Sequence, residues 1–124
     1  IFKEYPYFGV GIKNFRYESN KKKYRNDDYS LTNLRSATHP HQIHFEFLSE
    51  TGLFGYLSFL VFVIASLYLS IKNYLKNKNL YQLSGIIYVI AFLIPLLPSG
   101  SFFSTFYSWL FWINYSIMVS YNKK

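Results

Sequence analysis

Cysteine is absent from all 124 residues, which removes disulfides, thiolate metal sites and cysteine nucleophiles from consideration. Its absence does not identify a compartment, because many exported proteins also lack it. Charge is missing from a second place: no Asp, Glu, Lys or Arg occurs between Lys78 and Lys123. A charge at the centre of a membrane span costs about 2.5–3.5 kcal/mol on insertion scales, which gives such a gap a reason that a soluble core lacks. An initiator methionine, a charged n-region and a signal-like apolar h-region are also missing at Ile1, so the chain reads as a piece of a longer protein. Acidic residues are few, six against 13 Lys and Arg, for a net charge of +7. Eight of those cations lie before residue 36, and the other five (Lys72, Lys76, Lys78, Lys123 and Lys124) flank apolar segments. That distribution does not make the contiguous basic face of a nucleic-acid binder, and no nucleic-acid partner is expected.

What the chain has is apolar and aromatic. Aromatic residues make up 23%, and the apolar content is concentrated in the second half. Leu53–Ile71 is 19 residues without a charge, close to the roughly 20 that cross a bilayer core as a helix. Two further apolar segments follow at about 80–97 and 102–121, with Pro98-Ser99-Gly100 as the turn between them. The fold class expected is all-α, a polytopic membrane fragment with three transmembrane helices (about 53–71, 80–97 and 102–121, within 52–124). A loop at 1–51 bearing a short histidine-containing helix precedes them. Gly9-Val10-Gly11 is a turn signal, and Glu18–Ser30, which includes Lys21-Lys22-Lys23 and Asp27-Asp28, reads as solvated charge. Orientation follows from cations within about 15–20 residues of span ends. Only Arg35 qualifies on the N-terminal side, whereas all five later lysines do. The Lys72–Lys78 connection and the C-terminus are then cytoplasmic, and the histidine segment and the 98–101 turn share the outer face.

All three histidines fall in Thr38-His39-Pro40-His41-Gln42-Ile43-His44. Pro40 suits a first helical turn, with Thr38 or His39 as cap. On a helix from Pro40, His41, Phe45, Leu48 and Gly52 share a face, while Glu46 and Glu50 point nearly the other way. His41 and Glu50 then make no dyad unless the helix breaks near Gly52, and each carboxylate needs a partner elsewhere. Three imidazoles so close suggest a metal, but a fourth ligand and the zincin spacing are lacking, so none is assigned. A histidine of ordinary pKa near 6.5 accepts a proton from a hydroxyl at neutral pH. Arg16, Arg25 and Arg35 lie in the same region, and arginine matches phosphate oxygens bidentately. Packed or capping histidines remain the alternative.

Three stretches carry a family resemblance: Phe8-Gly9-Val10-Gly11-Ile12-Lys13-Asn14-Phe15-Arg16, Thr38-His39-Pro40-His41-Gln42, and Leu48-Ser49-Glu50-Thr51-Gly52-Leu53-Phe54-Gly55. In order and spacing they resemble the C-terminal part of the O-antigen ligase/polymerase family. The resemblance implies a metal-independent, inverting-type glycosyltransferase of the bacterial inner membrane that needs no cofactor, with the histidine segment periplasmic. Its substrates would be a polyprenyl diphosphate-linked glycan donor and a hydroxyl of lipid A–core or, in a polymerase, of another carrier-linked glycan. It implies His41 as the catalytic residue and Arg16 as a diphosphate contact, with Gln42, a further substrate contact, standing where asparagine is usual; Arg35, in the same basic region, is expected to be another substrate contact. The upstream spans and arginines that the family also uses are not in this chain, so the fragment alone is expected to be inactive. The rival from another class is a non-enzymatic membrane subunit with structural histidines. Glu50, Gly52 and Gly55 are expected to be structural, the glycines through close packing or a bend at the membrane surface. Asn114 is expected to bond a neighbouring helix, and Trp109 and Trp112 to sit at a lipid interface or in packing.

Overall fold

The computed structural model describes residues 1–24, 37–95 and 98–122. These form five α-helices, with no strand among the described residues: α1 (Phe15–Glu18), α2 (Ile43–Glu50), α3 (Gly52–Asn77), α4 (Leu80–Phe92) and α5 (Thr105–Ser120). A single 3-10 turn, Lys22–Tyr24, follows α1. The fold is all-α, as the apolar segments require. α3 is longer than its uncharged stretch because Lys72, Asn73, Tyr74 and Lys76 continue the helix to a left-handed stop at Lys78. At 1.5 Å per residue its 26 residues extend about 39 Å, beyond a hydrocarbon core of about 30 Å. α4 has 13 residues and α5 16, or about 20 and 24 Å. Among the described residues, α3 is the one helix long and apolar enough to cross a membrane.

α3, α4 and α5 alternate in direction. Between α4 and α5, Gly85 lets the backbones touch: a Cβ there would lie 2.7 Å from Met118 N and 2.8 Å from Asn114 O. Val63, Val89, Phe111 and Met118 are fully buried between the helices. Toward α2 the core becomes aromatic, with Phe47 stacked on Phe59 at 4.2 Å and Phe102 5.3 Å from Phe111. At the lysine-bearing end a polar cluster ties the three helices. Buried Gln82 donates to Met118 O (3.1 Å) and Asn122 Oδ1 (2.9 Å), and accepts from Asn73 Nδ2 (3.0 Å). Asn114 does not bond a neighbouring helix; its amide donates to Leu110 O in its own helix at 2.9 Å, because α4 approaches at Gly85 with no polar side chain to meet it.

Residues 6–13 fasten the opposite end. α2 ends and α3 begins at Thr51-Gly52, leaving carbonyls of one helix and N–H groups of the other without intrahelical partners. Val10 and Gly11 donate to Ser49 O (3.0 Å) and Glu50 O (2.8 Å), while Leu53 and Phe54 donate to Pro6 O (2.8 Å) and Tyr7 O (3.2 Å). Both helix ends are thus completed by one turn-rich segment. Gly9 (φ +66°) and Gly52 (φ +68°) sit where the two backbones cross, and a Cβ on either would run into the other strand's main chain. Gly55 faces the Thr51 side chain at 2.5 Å from an added Cβ.

Candidate functional site

The helix carrying the histidines starts three residues later than the sequence implies. Gln42, in extended conformation, is the N-cap of α2, and its side-chain oxygen accepts from Phe45 N at 2.9 Å. Neither Thr38 nor His39 caps, and Pro40 is not helical. The helix begins where the backbone leaves the extended conformation, at Gln42 (φ −157°, ψ 126°), and the residue at that point supplies the cap although glutamine is longer than the usual capping side chains. His41 therefore lies outside the helix, and the angular argument separating it from Glu50 no longer applies. Gln42 also donates through Nε2 to Pro95 O at 3.2 Å, so both ends of its amide are used by the protein. A substrate contact by Gln42 would be made beside these two bonds.

The three histidines have different surroundings. His44 Nε2 lies 2.9 Å from Leu93 O and Nδ1 2.9 Å from Tyr56 OH, which pins α2 to α3 and to the end of α4. His39 and His41 pack edge-to-face with ring centroids 4.4 Å apart, and His39 Nδ1 is 3.1 Å from Thr38 Oγ1. The His41 ring is exposed and makes no side-chain hydrogen bond among the described residues. It lines a cavity of about 740 Å³ together with Lys13, Arg16, His39 and Glu50 on one side and residues from 98–107 on the other. His44 faces away from it, so the three imidazoles do not converge, and no group of three metal-ligating side chains occurs among the described residues. Arg35, with Arg25 and Asp27-Asp28, lies outside the described residues.

Each carboxylate of α2 has its own partner in the protein. Glu46, 1% exposed, accepts from Phe102 N at 2.6 Å and from Ser101 Oγ. Glu50, 2% exposed, accepts from Lys13 N at 2.6 Å. Burial holds the Glu50 carboxyl above its ordinary range, with nearby Glu46 adding to the rise; the Lys13 N–H and the Arg16 charge oppose it. Lys13 itself takes a left-handed φ of 63° to present that N–H, which leaves its side chain and that of Arg16 at the cavity.

The lysine run is less solvated than its composition implies. Lys21 pairs with Glu18 at 2.5 Å, and Lys23 bridges Glu18 (3.0 Å) and Glu4. The hydrogen bond from Lys21 lowers the Glu18 carboxyl to about 2, against an opposing contribution from burial. Tyr24, which donates to Glu4 at 2.5 Å, is raised to about 12, first by burial and then by that carboxylate. Only Lys22 of the three has no acidic partner among the described residues. The signal missed in the sequence was the spacing Glu18-x-x-Lys21, an i,i+3 pair across the end of a short helix.

By length and composition α3 is a candidate membrane span, and the basic, histidine-lined cavity lies at its N-terminal end. Residues 1–60 match the model of the O-antigen ligase family, so this segment carries that family's domain. The match covers both halves of the helix-end clasp and the Lys13, Arg16, His39, His41 and Glu50 side of the cavity. That domain points to an O-antigen ligase- or polymerase-like function acting on lipid-linked or polysaccharide substrates. No curated protein and no solved structure matches the chain.

Proposed function

We propose that the chain carries part of the active site of an O-antigen ligase-like glycosyltransferase, with His41 as its general base. The observation that carries this reading is the contrast among the histidines. His44 has both ring nitrogens engaged by the protein, whereas His41 offers its ring to an open cavity that Lys13 and Arg16 also line. In this mechanism an acceptor hydroxyl gives its proton to His41 as its oxygen bonds to the anomeric carbon of a polyprenyl diphosphate-linked glycan. The bond from that carbon to the diphosphate oxygen breaks from the opposite face, inverting the centre. Arg16, with Lys13 beside it, takes up the negative charge of the departing diphosphate through charge-assisted hydrogen bonds. The acceptor is lipid A–core in a ligase and another carrier-linked glycan in a polymerase. Arg35, from the same basic region, is retained as a second diphosphate contact because a guanidinium matches phosphate oxygens bidentately.

The bilayer placement that accompanies this reading puts the cavity on the periplasmic face of the inner membrane. Lys72–Lys78 then lies on the cytoplasmic face, about 39 Å away along α3. α4 and α5, with the 93–104 connection between them, return within the same membrane. Support comes from the exposed apolar flank of α3 (Val61, Phe62, Ile64, Tyr68 and Leu69), which suits lipid or further helices better than water.

Substituting His41→Ala in the intact protein, in membranes supplied with lipid-linked glycan, is expected to abolish transfer while folded protein persists at its usual level. Transfer that survives would overturn the assignment. These 124 residues hold no cysteine, so Lys22→Cys, in a background with any cysteine elsewhere replaced, reports the topology. Labelling by an impermeant thiol reagent from the periplasmic side is expected, and labelling from the cytoplasmic side alone would overturn the orientation.

A further inference from the structure

The second wall of the cavity comes from outside the segment that matches the family. Residues 98–107 supply eight of the fourteen lining residues, carry no charge, and follow the matched residues 1–60 by almost forty positions. Their place beside His41 depends on α2 and its cap. Ser99 N donates to His41 O at 3.0 Å, Gln42 Nε2 to Pro95 O, and His44 Nε2 reaches Leu93 O. The last two bonds in this series end on Glu46, which receives Ser101 Oγ and Phe102 N.

Glu46 is the unusual member. A carboxylate that is 1% exposed is costly unless it is paired or fully hydrogen-bonded, and no cation pairs with it among the described residues. Both donors it receives come from two consecutive residues of the α4–α5 connection, 55 and 56 positions away. Helix packing alone would be served better there by an apolar side chain. The wall it holds brings Thr105 and Tyr107, both exposed and hydroxyl-bearing, to the cavity. The opposite wall brings Lys13 and Arg16. Cations suit phosphate, and an uncharged wall bearing hydroxyls and an aromatic ring suits the face of a sugar.

We propose that Glu46 is a positioning residue: through Ser101 and Phe102 it holds residues 98–107 as the glycan-facing wall of the His41 cavity. The assignment of the wall to a glycan rests on the ligase-like reading; the holding of the wall does not.

The test uses the intact protein in membranes, with Thr105→Cys as the reporter of the wall. Glu46→Ala removes two hydrogen bonds to a carboxylate, and is expected to raise the labelling rate of Thr105→Cys about tenfold or more. Glu46→Gln still accepts the Phe102 N–H and can donate to Ser101 Oγ, so it is expected to return the rate to within about threefold of the parent. A core reporter, Val63→Cys, should stay unlabelled in both backgrounds. If Glu46→Ala exposes it, the milder Ser101→Ala, which deletes one of the two bonds, replaces Glu46→Ala as the deciding variant. Unchanged Thr105→Cys labelling in the deciding variant would overturn the positioning role. In the transfer assay with lipid-linked glycan, the same variant is expected to raise KM about tenfold with kcat changed less than about threefold. Faster labelling with an unaltered KM would overturn the glycan assignment while leaving the wall held by Glu46. Absence of transfer by the unsubstituted protein would overturn the ligase reading and the glycan assignment together, and the labelling result would still decide what Glu46 does.

Discussion

Gly9 and Gly52 occupy mirrored positions: Gly9 lies against the backbone of Glu50 and Thr51, and Gly52 lies against the backbone of Tyr7 and Phe8. Both have left-handed φ, so each needs glycine twice over, for conformation and for space. Gly52→Ala is expected to cost about 1–3 kcal/mol from backbone conformation alone, with displacement of residues 6–8 in addition. Thermal unfolding of the detergent-solubilised protein should show it. The double variant with Gly9→Ala should lose less than the sum of the singles, because the first substitution already parts the two segments.

The histidines should separate by what their loss does to stability. His44→Ala removes two hydrogen bonds and leaves Leu93 O and Tyr56 OH without that partner, a cost of about 1–3 kcal/mol. His41→Ala removes a ring whose side chain makes no hydrogen bond among the described residues and should leave stability within about 0.5 kcal/mol of the parent. Equal losses of stability would contradict the geometry. A non-enzymatic subunit with structural histidines has no reason to produce this split together with loss of transfer.

Glu50 gives a signed pH dependence. Its carboxyl is raised in the folded protein, chiefly by burial, so the protonated form is favoured by folding. Stability from this group is fully present below the ordinary glutamate range and is lost as pH rises through the raised folded value. Glu50→Gln keeps an acceptor for Lys13 N–H and should flatten that part of the stability–pH curve. A curve of unchanged slope in the variant would assign the dependence to another group.

Glu18 should behave in the opposite sense. Lowered to about 2 by Lys21 and Lys23, it stabilises the folded N-terminal region above the ordinary value of 4.5 and ceases to do so as pH falls toward 2. Amide exchange across 15–24 should therefore accelerate in that window. Because both lysines are about half exposed, added salt should reduce the difference.

At the other end of the bundle, Gln82→Leu deletes the centre of the Asn73–Gln82–Asn122 cluster and leaves Met118 O unbonded. The expected loss is about 0.6–2 kcal/mol, the range for polar contacts between membrane helices. Unfolding in mild detergent should report it without effect on the His41 cavity.

Much of the architecture is visible in the sequence because it depends on local pattern. The charge-free interval after Lys78 reports the helices, and the Gly-x-Gly and Glu-x-Gly stretches report the crossing of two backbones. The start of α2 was harder to read. Pro40 is a good first-turn residue, and only the tertiary placement of Gln42 against Pro95 shows that the cap lies beyond it. The 98–107 wall was harder still. Its residues read as a turn followed by the start of the third apolar segment, and the Glu46 carboxylate that bonds Ser101 lies 55 positions away, a separation no periodicity encodes. Arg16 and His41 could be paired in the sequence through the family's motif order, whereas Lys13 and Tyr107 reach the cavity only through the fold.

The fastening of Val10 and Gly11 to Ser49 and Glu50 also closes a loop in the chain. The cost of joining the ends of a flexible loop grows only logarithmically with its length, by about 0.6 kcal/mol for each doubling. Residues inserted between Tyr24 and Ala37 would therefore add little to the cost of closure. A change of length there would leave the crossing of backbone at Gly9 and Gly52, and with it the Arg16 and His41 side of the cavity, in place.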